Sequence, residues 1–98
     1  MRIEFDELAS EEVAEAAIWY ESQSPNLSDL FLVELQNAVD SIADRPNAWP
    51  IVHSGKQVRR KPFHKFPYFL FYKTYENRIV ILAVGHQRRR QNYWVERL

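Results

Sequence analysis

Cysteine is absent from the 98 residues, which excludes disulfides and thiolate zinc sites. The three histidines, His53, His64 and His86, have no metal-ligand spacing, so neither a metal nor a cofactor is expected. No apolar run approaches the roughly 18–20 residues of a membrane span. Arg2, Glu4, Asp6 and Glu7 interrupt the stretch where a signal peptide would need apolar residues. A cytoplasmic protein with no membrane partner is the expectation. Internal repeats and low-complexity segments are also missing. The last scarcity is one of charge. Residues 1–44 hold eleven Asp/Glu against Arg2 alone, a net of −10, whereas residues 45–98 hold twelve Lys/Arg against Glu76 and Glu96, a net of +10. The formal net charge of zero hides this division.

What is present is ordinary globular composition, 46% hydrophobic and 27% charged, in a length that suits a single domain over residues 1–98. The charge division points to a surface that grips an acidic macromolecule, with no small-molecule substrate implied. The competing reading is internal, with acidic helices lying on a basic sheet so that the fields cancel. Against it, the cations are clustered as Arg59-Arg60-Lys61 and Arg88-Arg89-Arg90, and clustering concentrates potential at one place.

Hydrophobic periodicity orders the elements. Arg2–Asp6 alternates, with Ile3 and Phe5 on one side, and reads as a short strand. Ser10 is the expected N-cap of a first helix, with Glu11 and Glu12 in its first turn and Val13, Ala16, Ala17 and Tyr20 as its apolar face. Pro25 ends it. Leu27, Phe31, Leu35, Ala38 and Ile42 form the stripe of a second helix from about Leu27 to Ala43, closing an antiparallel hairpin. Residues 47–55 read as irregular. Val58–Lys61, Tyr68–Lys73 and Ile79–Val84 then read as strands, the last two joined by a turn at Glu76-Asn77. That turn predicts Lys73 opposite Val80, Phe71 opposite Leu82 and Phe69 opposite Val84, and on the other face Tyr72 opposite Ile81 and Leu70 opposite Ala83. The uncharged face is expected to pack on the helices. The face holding Phe69, Phe71 and Leu82, edged by Lys73 and Arg78, is expected to be an open apolar strip with a basic margin, unless the C-terminal segment folds across it. Val95 and Leu98 are expected to anchor that segment.

This order, an N-terminal strand, a two-helix hairpin and then three or four antiparallel strands, resembles the α+β toxins of the RelE/ParE superfamily from bacterial type II toxin–antitoxin pairs. Four stretches carry the likeness: Ala14-Glu15-Ala16-Ala17-Ile18-Trp19-Tyr20-Glu21, Phe66-Pro67-Tyr68-Phe69-Leu70-Phe71-Tyr72, Ile79-Val80-Ile81-Leu82-Ala83-Val84-Gly85-His86, and Arg88-Arg89-Arg90-Gln91-Asn92-Tyr93-Trp94. The resemblance implies a cognate antitoxin whose disordered segment folds onto the toxin. Its acidic tail is expected on Phe69, Phe71, Leu82, Lys73 and Arg78. The resemblance also implies one of two targets, DNA gyrase for the ParE branch, or the ribosome and its messenger RNA for the RelE branch.

RNA cleavage needs a base, an acid and cations on the phosphate. On the RelE pattern, Phe69 and Gln87 stand where arginines are expected, while Tyr93 matches the tyrosine position. His86 with Arg89 and Tyr93 would be the catalytic set of a ribosome-dependent endoribonuclease. The missing arginines favour the ParE branch, a toxin that binds gyrase and is not an enzyme. Its target is expected to meet Arg59, Arg60, Lys61, Arg88, Arg89, Arg90 and Tyr93.

Overall fold

The structure is a computed structural model that describes residues 1–98. Strand β1 (Arg2–Phe5) leads into helices α1 (Glu7–Gln23) and α2 (Leu27–Asp44). Strands β2 (Ile51–His53), β3 (Val58–Pro62), β4 (Tyr68–Thr74) and β5 (Arg78–His86) follow, then a 3-10 turn at Val95–Arg97. Helix α1 starts earlier than Ser10 predicts. The Asp6 side chain, directly after β1, accepts from the N–H of Leu8 at 2.9 Å and caps the helix. Ser10 is therefore already inside the first turn, and Glu12 lies beyond it. At the hairpin bend Asn26 takes a left-handed φ of 70°, which asparagine tolerates. The Glu21 carboxylate ties the bend by accepting from the Ser28 hydroxyl at 2.7 Å.

The five strands form one sheet in the order β1-β5-β4-β3-β2. The four strands after the hairpin are antiparallel, as expected. β1 lies parallel to β5, with Ile3 opposite Ile79; the helix hairpin carries the chain from β1 to β2 at the far edge, and the sheet is then built back through β3 and β4 to β5. β2 is an addition to the sequence reading. Three residues are too short to show a period, yet Ile51 and His53 pair with β3.

The helix-facing core matches the expectation. Leu70, Tyr72, Ile79 and Ile81 pack with Phe31, Ala38 and Ile42 in one buried cluster, with Leu35 against it. The turn register holds as far as Lys73 opposite Val80 and Tyr72 opposite Ile81. There it needs correction. A bulge makes Phe71 face Ala83, Leu70 face Val84 and Phe69 face Gly85. With one extra residue in β5, Leu82 and Ala83 both turn away from the helices, and Val84 returns to the helix side.

Candidate functional site

Beyond β5 the chain folds back over the sheet face opposite the helices. His86 starts the reversal, its Nδ1 accepting from the N–H of Arg88 at 3.0 Å and its carbonyl accepting from the N–H of Arg89 at 3.0 Å. Asn92 supplies a left-handed φ of 61°. Trp94 then drops into the sheet, wholly buried, with its ring 5.3 Å from that of Phe71. The open apolar strip is thereby corrected. Phe71 keeps 8% exposure and Leu82 only 2%, because the indole covers them, together with Val58 and Ala83. Phe69, Lys73 and Arg78 stay partly accessible. The main anchor of the segment is Trp94; Val95 packs against the same cluster, as expected, whereas Leu98 remains exposed.

A single carboxylate holds this segment down. Glu12 accepts from the N–H of Val84 at 2.9 Å, the Tyr93 hydroxyl at 2.8 Å, and both terminal nitrogens of Arg97 at 2.8 and 3.1 Å. Arg97 also donates to the Leu82 carbonyl at 3.0 Å. The reason lies in strand lengths. β1 ends opposite Ile81, so the edge of β5 beyond that point has no strand partner. Glu12 and Arg97 satisfy the backbone groups left there, as buried polar groups require. Both side chains are largely buried, at 12% and 13% exposure. Gly85 completes the fit, since a Cβ there would collide with the Tyr93 hydroxyl. Burial, and then the hydrogen bond to Glu12, push the Tyr93 phenol well above its usual range.

The two cationic clusters behave differently. Successive strand residues point to opposite faces, so β3 splits Arg59-Arg60-Lys61. Arg59 turns to the helix side and donates to the Asn47 and Trp49 carbonyls at 3.2 and 2.6 Å. Lys61 also turns there, lying 4.2 Å over the Trp49 ring and sharing a groove with Glu34 and His64. Arg60 alone faces the C-terminal segment, its guanidinium 4.2 Å over the Phe69 ring. It meets Arg89, Arg90, Tyr93, His86 and Gln87 around one cleft of about 220 Å³. Arg88 is exposed and does not line it. Of the seven expected target-contacting residues, the structure gathers Arg60, Arg89, Arg90 and Tyr93 and separates Arg59, Lys61 and Arg88. His86, Arg89 and Tyr93 do converge, but with the Tyr93 proton committed to Glu12. Glu12 and Arg97 are the residues that sequence reasoning missed.

Buried tyrosines make the fold sensitive to alkali. Burial pushes the Tyr72 phenol up to about 12, with the positive charge of Arg59 acting the other way. Its hydroxyl donates to the Pro46 carbonyl at 2.6 Å. Below the free value of 10.0, folded and unfolded chains both keep this proton and the stabilisation is complete. As pH rises from there towards 12, the unfolded chain ionises first and stability drains away. Thermal melts followed by circular dichroism should show a steep fall in Tm over that interval. Tyr72→Phe should be less stable at neutral pH but decline less.

Comparison with known proteins adds to this geometry. The model of the family described as ParE toxin of type II toxin-antitoxin system, parDE, matches residues 3–91. Among solved structures, a chain of the chromosomal ParDE TA system from P. aeruginosa has a similar fold. Its TM-score is 0.77 at 14% identity, over 88% of this chain and 95% of that one. No curated protein sequence matches.

Proposed function

Because the chain belongs to the ParE toxin family of type II toxin–antitoxin systems, we propose that it acts by binding DNA gyrase and is neutralised by a cognate antitoxin. The observation that carries the choice of target is the state of Tyr93. A general acid must release its proton to a leaving group near neutral pH. The Tyr93 hydroxyl instead donates to Glu12 at 2.8 Å, with its pKa raised. Phe69 and Gln87 line the same cleft and carry no charge. Of the expected catalytic set, the cleft thus keeps His86 as a proton-transfer group but has lost Tyr93 to Glu12 and lacks the two arginines, which supports gripping over cutting. On the antitoxin side, an acidic segment would meet Lys73 and Arg78, which bracket Tyr75 at 5.5 and 4.7 Å from its ring, together with the accessible part of Phe69.

Two assays on one preparation test the target. Purified toxin should inhibit gyrase supercoiling and leave messenger RNA on translating ribosomes intact by primer extension. Supercoiling inhibition should be lost when Arg89 and Arg90 are reversed to Glu, with the circular dichroism spectrum unchanged. Cleavage at codon positions that vanishes in His86→Ala, with supercoiling untouched, would replace the gyrase reading with the endoribonuclease one.

A further inference from the structure

The cleft between β3, β4 and the C-terminal segment has a specific electrostatic construction. Two of its arginines are mounted on aromatic rings, Arg60 at 4.2 Å from the Phe69 centroid and Arg89 at 4.0 Å from the Tyr93 centroid. Such stacking holds a guanidinium plane in place while leaving its N–H fork free, so less freedom is lost when an anion binds. Arg90 stands at the rim, and no Asp or Glu lines the cleft. Neither Arg60 nor Arg90 is in an ion pair, and Arg89 reaches only Glu12, at 3.9 Å. Positive charge is therefore concentrated, and compensated only by the long Arg89–Glu12 contact, inside a concave site, the arrangement that focuses potential on an incoming anion.

We propose that this cleft is a carboxylate receptor, which takes an acidic side chain from a protein segment of the toxin's target between Arg60 and the Arg89–Arg90 pair. The proposal rests on the reading of the chain as a toxin that acts by binding a protein. Three observations select the occupant. A volume of 220 Å³ lies below the roughly 300–1,000 Å³ of small-molecule sites and suits one inserted group. Of the aromatic rings that line the cleft, Phe69 carries Arg60, Tyr93 carries Arg89 and Phe71 is nearly buried beside Trp94, which leaves little ring surface for stacking a nucleobase. The third concerns the surroundings. The adjoining groove shares His86 and Arg89 but is walled by Glu12 and Glu15 of α1. A nucleic acid needs a continuous basic track for successive phosphates. Here a polyanion leaving the cleft on that side runs into carboxylates, whereas a local acidic segment does not.

Isothermal titration calorimetry on the full chain tests this with three probes at one moderate salt concentration. They are a short glutamate-rich peptide, its glutamine counterpart, and a single-stranded oligonucleotide of similar length. The acidic peptide should bind, the glutamine peptide should not, and the oligonucleotide should bind more weakly. Arg60→Gln and Arg90→Gln should each weaken the acidic peptide by roughly tenfold or more, as loss of a charged hydrogen bond does. Arg45→Gln, an exposed arginine elsewhere, should change little. Arg90 sits at the rim, so its variant keeps the test valid if Arg60→Gln disturbs β3. Peptide binding that ignores both substitutions, or is absent, overturns the proposal. So does oligonucleotide binding of equal or greater strength that depends on Arg60 and Arg90. Gyrase supercoiling is scored separately. A toxin that leaves gyrase untouched but binds the acidic peptide through Arg60 and Arg90 sinks only the gyrase reading.

Discussion

Glu12→Ala is expected to destabilise the protein by about 3–5 kcal/mol, the range for removing one partner of a buried ion pair. The substitution strands Arg97 at 13% exposure and leaves the Tyr93 hydroxyl and the N–H of Val84 without their acceptor. Urea unfolding should register the loss as a lower midpoint at unchanged slope. Glu12→Gln should lose less, since its amide oxygen can still accept one of these bonds. A second readout separates global from local effects. Amide exchange of residues 87–98 should accelerate more than that of β4, because the C-terminal segment loses its clamp while the helix-side core is untouched. If Glu12→Ala melts like the parent, the clamp is not holding the segment.

Trp94→Ala is expected to cost about 3–5 kcal/mol, as large aromatic truncations in cores do. The indole packs on Phe71 and is part of the cluster with Val58, Leu82 and Ala83, so its removal opens a cavity on the face away from the helices. Phe71 and Leu82 would regain exposure, and binding of a hydrophobic dye should rise in proportion. Trp94→Phe should recover much of the loss, because ring area matters here and the indole N–H has no hydrogen-bond partner. Equal destabilisation by Phe and Ala would argue against packing as the cause.

The helix hairpin and the helix-facing core were legible because both depend on local periodicity. Phe31, Ala38 and Ile42 recur at helical spacing, and Leu70, Tyr72, Ile79 and Ile81 alternate from a turn whose residues dictate it. The bulge in β5 was not legible, since no residue type at Leu82 marks it and the register before it is regular. The splitting of Arg59-Arg60-Lys61 was within reach of the sequence. Alternation along β3 already puts Arg60 opposite its neighbours, and reading the run as one patch set that period aside. The clamp lay out of reach. Glu12 meets Val84, Tyr93 and Arg97 across sequence separations of 72 to 85 residues, and its place near the start of a helix suggests only a dipole effect.

The parallel pairing of the first strand sets the order in which the molecule can assemble. Residues 2–5 have no sheet partner until residues 78–81 exist, and Glu12 has none of its acceptor duties until the chain has passed Val84. During synthesis the helix hairpin can form alone, but closing the sheet must wait for the end of translation. Such non-local pairing folds slowly, because loop closure comes before any contact rewards it. A nascent chain interrupted before β5 holds neither the sheet nor the cationic cleft. The cleft and the full sheet thus belong only to finished molecules.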